Sequence, residues 1–346
     1  MSGQFRFAVA IGLSAVVSLP GTGMAAEDAT NFYLLGSKGP MAGFLPPPGT
    51  YVLDYEYFYT GNASGRAAEG VALNRLGPPR TTTGAELTLE ANINVDGRAI
   101  YSMPSVLWIA PQEVSGGHVG VGLIVPIGWK RVDADVDALA TLSLPIGITL
   151  QRGRRFDIED SSSNFGDPIP NAVIGWHRGN WYWNIGGLLN VPIGEYEKEN
   201  IANIGFGRWA FDATAAVTWL DPSTGFEASS AAGFTFNGEN PETDYRTGTE
   251  FHAEFALMQH FSRQLSLGVS GYYYEQVTGD SGAGAVLGSF KGRVTAVGPS
   301  ATYTFQLGKL PLATGLRWYR EFDTENRLEG DAVFLSATMP LSMPGR

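Results

Sequence analysis

The sequence predicts an all-β chain, a transmembrane antiparallel up-and-down β-barrel of about 12 strands, with 14 if two ambiguous segments each count as a hairpin. Three observations predict it. Apolar residues recur with period two over windows of ten residues or more. Aromatic residues sit at both ends of the apolar face of those windows. The connections between windows alternate short and long.

Composition agrees. The chain has 346 residues, 45 of them Gly, with 44% hydrophobic, 12% aromatic and only 16% charged residues. It carries no apolar run of the roughly 20 residues that a membrane-spanning helix needs. Apolarity is therefore dispersed, as strands require. The absence of Cys excludes disulfides, thiol catalysis and thiolate metal sites. A formal charge of -11 makes nucleic acid an unsuitable partner.

The first element is a leader. Arg6 precedes an apolar run from Phe7 to Leu19, then Pro20 and the small residues Gly23, Ala25 and Ala26. This is the pattern of a secretory signal peptide over 1–26, cleaved near Ala26. A Pro/Gly-rich segment, 27–49, follows and suits a plug or a periplasmic extension. Residues 50–346 then form the barrel.

The expected strands are 50–60, 86–110, 117–131, 168–178, 181–192, 207–220, 225–237, 249–261, 264–277, 290–307, 310–322 and 328–341. In the strand after Trp209 one face reads Trp209, Phe211, Ala213, Ala215, Val217, Trp219 and the other Ala210, Asp212, Thr214, Ala216, Thr218. Aromatic ends with a small or aliphatic middle suit a lipid-facing strand between two interfaces. Short connections fall at Gly179-Asn180, Asp221 to Thr224, Ser262-Arg263 and Gly308-Lys309. Long ones fall at 61–85, 132–167, 193–206, 238–248 and 278–289. The strand count is open at Asp96-Gly97, a hairpin signal inside 86–110, and at the alternating Leu142 to Leu150 inside an expected loop. Pro340 interrupts the last strand.

A polar interior is the rule for such barrels. Alternation assigns Asp54, Glu56, Glu86, Glu90, Asp212, Glu227, Glu250, His252, Glu254 and His260 to the lumen, with Arg293 and Arg317 as counter-charges. An acidic lining favours neutral solutes and cations over anions. Tyr182, Tyr272 and Tyr274 form either an aromatic track for flat solutes or space-filling packing.

No enzyme motif emerges. His118, His177, His252 and His260 are the only imidazoles, and no Gly-x-Ser-x-Gly elbow accompanies them. His252 and His260 share a face with Glu250 and Glu254, which fits a bracing hydrogen-bond network better than catalysis. No metal-ligand spacing and no cofactor motif is present, and the acidic loops around Asp157, Glu195 and Glu239 read as solvated.

Several segments resemble one family of bacterial outer-membrane proteins, those associated with the meta-cleavage pathway of phenol degradation. They are Gly39-Pro40-Met41-Ala42-Gly43 with Pro46-Pro47-Pro48-Gly49, Phe165-Gly166-Asp167-Pro168, Asp244-Tyr245-Arg246-Thr247-Gly248, Gly279 to Gly284 with Phe290 to Arg293, and Trp318 to Phe322 with Asn326 to Gly330. The resemblance implies a transporter barrel in the Gram-negative outer membrane, linked in some bacteria with aromatic degradation. It brings no catalytic or binding residues with it. The resulting expectation is a non-enzymatic channel for passive uptake of small hydrophobic or aromatic, phenol-like molecules. Its partners would be outer-membrane lipids, lipopolysaccharide and the barrel-assembly machinery. The alternatives are a lumen-filled structural or adhesive barrel and an outer-membrane lipid hydrolase using His252 or His260.

Overall fold

The structure is a computed structural model that describes residues 26–27, 30–64, 86–143, 149–285, 289–308 and 310–342. Most of the expected leader lies outside the described residues. In chain order the strands are β1 (Gly49–Ser64), β2 (Glu86–Ser102), β3 (Ser105–Val114), β4 (Gly117–Ile124), β5 (Ile127–Ser143), β6 (Thr149–Phe165), β7 (Ile169–Arg178), β8 (Trp181–Asn190) and β9 (Ala210–Asp221). There follow β10 (Phe226–Asn237), the two-residue pair β11 (Glu239–Asn240) and β12 (Tyr245–Arg246), β13 (Glu250–His260), β14 (Leu265–Gln276), β15 (Arg293–Leu307), β16 (Leu310–Glu325) and β17 (Glu329–Ser342). All ladders are antiparallel, in the order β17-β16-β15-β14-β13-β10-β9-β8-β7-β4-β3-β1-β2-β5-β6, and β17 returns to pair with β1, closing the barrel.

Twelve strands make the wall, because β2 continues into β3, β4 into β5 and β6 into β7 across short breaks. The breaks hold Pro104, Pro126 and Pro168. Proline has no N–H for the ladder and biases the residue before it away from regular pairing. The three prolines lie at one level of the wall: Val125 N–H donates to the Pro104 carbonyl (3.1 Å) and Gly166 N–H to that of Pro126 (2.9 Å). They form a line across which the wall bends.

On the turn side of that line β3, β4 and β7 pair in order and β7 meets β8; on the loop side β2, β5 and β6 pair, and β6 has no second strand partner. Residues 191–209 close the gap instead. Asp160 accepts from Ile201 N–H (2.7 Å) and Ala202 N–H (3.0 Å). Asp167 accepts from Gly194 N–H, Phe206 N–H and Asn190 Nδ2, each at 2.8 Å.

Two sequence expectations are corrected here. Asp96-Gly97 is not a turn, since β2 runs through it in register with β1 and β5. Nor is 132–167 a loop, because β5 and β6 pair without interruption from Ile127↔Phe165 to Ser143↔Thr149. The extra pairing lengthens two strands and adds none. Pro340 stays inside β17, where it faces Tyr51 beside a register shift in β1, the kind of irregularity that tolerates a missing donor.

Through the barrel the burial pattern is inside out. In β9 the exposed residues are Phe211, Ala213, Ala215 and Val217, and the buried ones include Asp212, Thr214 and Thr218. In β10, Phe226, Phe234 and Phe236 are exposed while Glu227, Ser229 and Thr235 are buried. Exposed Trp181, Phe226, Phe261 and Phe305 lie toward the short turns, and Trp209, Phe236 and Phe322 toward the loops. Between them lie exposed aliphatics such as Ile185, Val217, Val269, Val297 and Leu316. An apolar band flanked by aromatic girdles is the outer surface that lipid requires.

Candidate functional site

The barrel interior is occupied by the chain's own N-terminal segment, which runs its full height. At the loop end, Ala26 N–H donates to Asp280 (3.2 Å), and the buried Glu27 carboxylate pairs with buried Arg208 at 3.1 Å. Lower down, Tyr33 stacks on the His252 ring, centroids 3.5 Å apart.

Gly36 N–H donates to Glu254 (3.2 Å), while Arg317 donates to the carbonyls of Gly36 (2.9 Å) and Ser37 (3.0 Å). Met41 N–H then reaches Glu227 (2.6 Å), Gly43 N–H reaches Thr218 (2.9 Å), and Asn184 donates to the Ala42 carbonyl (2.9 Å). A segment without ladder partners must satisfy its backbone some other way. Here the inward carboxylates and Arg317 do it. Two glycines make the close approach feasible. Gly36 has φ +85°, and a Cβ on Gly43 would lie 2.5 Å from the backbone of Thr218 and of Tyr182.

The remaining lumen carboxylates are bound by side chains of the wall. Asp212 accepts from Thr214 (2.6 Å) and Thr235 (2.7 Å) and lies 2.9 Å from His252 Nε2. Glu227 also takes Ser229 (2.7 Å) and lies 2.7 Å from His260 Nε2. Glu250 accepts from Tyr274 (2.7 Å) and Asn237 (3.0 Å). Glu321, a buried residue not singled out from sequence, accepts from Tyr272 (2.7 Å), Tyr59 (2.8 Å) and Gly330 N–H (2.9 Å). Buried charges of this kind are tolerable only when their lone pairs are taken up.

Three assigned residues do not face the lumen. Asp54 and Glu56 lie on the opposite side of β1 from Tyr55, Tyr57 and Tyr59, which pack into the core around Phe334 and Tyr272. Glu56 pairs across the ladder with Leu335, which is exposed on the outer face. The physical reason is that the N-terminal segment turns this part of the lumen into a packed aromatic core, and tyrosines fill it better than carboxylates. Arg293 likewise pairs on the outside with Asp323 (3.3 Å) and Glu325 (3.7 Å). The side chains of Glu86 and Glu90 lie outside the described residues. The structure does not bring the three tyrosines into one track: Tyr272 and Tyr274 are buried with hydroxyls bound, whereas Tyr182 meets Phe44, centroids 5.5 Å apart, near the turn end.

A cavity of about 120 Å³ lies between the N-terminal segment and the wall at the loop side. Tyr33, Tyr57, Tyr59, Tyr101 and Tyr272 line it with Leu34, Val95, Val132 and Leu328, and its polar lining includes Lys130, Glu321 and Arg327. The part of the lining that the N-terminal segment supplies is not legible as a site, because nothing local in 30–35 signals it.

No curated protein matches this chain in sequence. In structure the chain is similar to an outer membrane channel from Pseudomonas putida F1, at 15% identity and a TM-score of 0.60, over 88% of this chain and 98% of that one. A FadL homologue from Pseudomonas aeruginosa aligns over 94% of this chain and 100% of its own, at 11% identity and a TM-score of 0.39. The first likeness establishes the fold, a 12-stranded barrel of outer-membrane channel type. The model of the family described as "Putative MetA-pathway of phenol degradation" matches residues 77–337, three quarters of the sequence, and the chain belongs to that family.

Proposed function

We propose that this chain is an outer-membrane channel through which small hydrophobic or aromatic molecules pass passively, without a cofactor and without chemistry. The observation that carries the reading is the tyrosine-lined cavity inside a closed barrel whose outer surface is an apolar band. The short turns then face the periplasm and the long loops the exterior, the usual arrangement in single-chain barrels. The family and the shared channel fold support the same reading. Residues 30–44 act as the plug that solutes must pass, held by Glu227, Glu254, Arg317 and Thr218.

A hydrolase finds little support in the geometry. Among the described residues the one hydroxyl at a histidine ring nitrogen is that of Thr214, 3.5 Å from His252, and Tyr33 covers that ring. A second reading, a lumen-filled structural barrel, is favoured by the number of bonds that hold the N-terminal segment.

Single-channel recording of the refolded chain in planar bilayers separates the two. Small discrete steps, partly blocked by phenol or toluene and enlarged several-fold by deletion of 36–48, are expected of the channel. A folded, heat-modifiable barrel that stays silent in both forms, and whose liposomes admit no phenol, would instead be structural.

A further inference from the structure

Arg208 and Arg327 each keep a buried guanidinium nitrogen without a partner, but among the described residues Arg327 alone of the interior arginines has neither a carboxylate nor a backbone carbonyl bound. Buried Arg208 has Glu27 at 3.1 Å, and Arg317 has two carbonyl oxygens at 3.0 Å or less. Arg327, in the connection between β16 and β17, donates to the side-chain oxygen of Asn31 and lies over the Tyr274 ring, 4.4 Å from its centroid. Among the described residues it forms no ion pair, and its Nε is buried without a hydrogen-bond acceptor. A half-buried guanidinium with a buried N–H short of an acceptor is costly, and a carboxylate is the acceptor whose geometry matches it.

The carboxylates that act on Arg327, Glu321 and Glu250, are already engaged, Glu250 by Tyr274 and Asn237. Glu321 lines the same cavity, but its oxygens take up two tyrosine hydroxyls and the Gly330 N–H. Lys130, also in the lining, donates to Thr30 at 2.9 Å. Thr30, Asn31, the exposed Arg98 and Arg131, which pairs with Asp133 and Glu159, also line it, and the remainder of the lining is apolar or aromatic. An apolar cavity of about 150 Å³ holds one benzene molecule, so a volume of about 120 Å³ suits a single ring.

We propose that this cavity binds a monocyclic aromatic carboxylate, with the ring among the tyrosines and the carboxylate on Arg327. The inference deepens the channel reading and rests on it. It also reverses the selectivity expected of an acidic lumen. Most inward carboxylate oxygens are taken up by the N-terminal segment and the wall, and of the charged side chains that keep a buried atom without a partner, Asp54, Arg208, Glu254, Arg293 and Arg327, it is Arg327 that lines the cavity.

The test is calorimetric titration of the refolded full chain in detergent with benzoate, benzyl alcohol, phenol and benzylamine, beside liposome permeation of the same four. Benzoate is expected to bind at least about tenfold more tightly than benzyl alcohol or benzylamine, the scale of one charge-assisted contact. R327Q should bring benzoate down to the level of benzyl alcohol and leave benzyl alcohol within about twofold, and R327K should recover part of the loss. Heat-modifiable migration checks that the variants fold, and the wild-type ligand series decides the matter without them. Equal affinities for benzoate and benzyl alcohol, or a preference that survives in folded R327Q, would overturn the proposal. If phenol and benzyl alcohol permeate but benzoate neither binds nor permeates, this proposal falls and the channel reading stands. If none of the four binds or permeates, both fall.

Discussion

Two stretches of the same wall alternate with opposite sense. In β9, Asp212, Thr214 and Thr218 are buried while Phe211 and Val217 are exposed. In β5, on the loop side of the proline line, Val132, Ala134 and Val136 are buried while Arg131, Asp133, Asp135 and Asp137 face outward. The outer charges pair there: Arg131 with Asp133 (2.9 Å) and Glu159 (2.6 Å), and Arg155 with Asp135, Asp137 and Asp157 at 3.8 to 3.9 Å. The inner face packs on Ala202, Ile201 and Leu328. What differs is the solvent outside. Where the outer face meets lipid the polar residues turn inward; where it meets water the same wall behaves as a soluble sheet with a core. The reversal between Ile100, exposed and apolar, and Arg98, exposed and charged and paired with Arg131, marks the upper edge of the bilayer.

The comparison is tested hardest by placing the same charge on each buried or greasy face. Val132→Arg puts an unpaired cation into the small core of the wall on the loop side of the proline line, the extension made by β2, β5 and β6, and should cost about 3–5 kcal/mol. Because the damage lies above the proline line, limited proteolysis should cut within 127–165 while the barrel keeps its heat-modifiable migration. Loss of the whole barrel would show that the extension is not a separate layer.

Val217→Arg places the cation on the lipid face instead and should cost about 2–4 kcal/mol in a urea titration of vesicle-embedded protein. Its effect should shrink in a detergent micelle, whereas that of Val132→Arg should not. Asp212→Asn tests the interior of the band. It removes the charge that takes up Thr214, Thr235 and His252, and a loss of about 1–3 kcal/mol in the same titration is expected. A neutral outcome would mean that the lumen network does not brace the wall.

The sense of these faces also explains what the sequence disclosed. The wall strands from β8 to β17, the short pair β11 and β12 apart, were legible because their outer face is apolar with aromatic ends and their inner face polar, a contrast that period two exposes directly. The extension was not, because Asp133, Asp135, Asp137, Asp157 and Glu159 look like a solvated loop unless Val132, Ala134 and Val136 are set against them. In β1 the rule that polar residues face the lumen led to the wrong face. Tyr55, Tyr57 and Tyr59 turn inward because the N-terminal segment makes a core there, a fact that no local pattern in β1 contains. Glu227, Glu254 and Arg317 could be placed on the inner face from alternation. Their partners could not, since Met41, Gly36 and Ser37 lie 186 to 281 residues away in the chain.

The smallest effect belongs to the outer face of the extension. Arg155→Ala removes three ion pairs at once, yet Arg155 is 65% exposed and its partners Asp135, Asp137 and Asp157 are 48 to 74% exposed. Exposed pairs at such distances gain little over hydration and are screened by salt, so the loss should be about 0.5 kcal/mol or less and should vanish near 1 M salt. Proteolysis of 127–165 should be unchanged by the variant. A larger, salt-insensitive loss would mean that this face is shielded from water, and the boundary between lipid and solvent would then have to be drawn above Arg155 and not at Arg98.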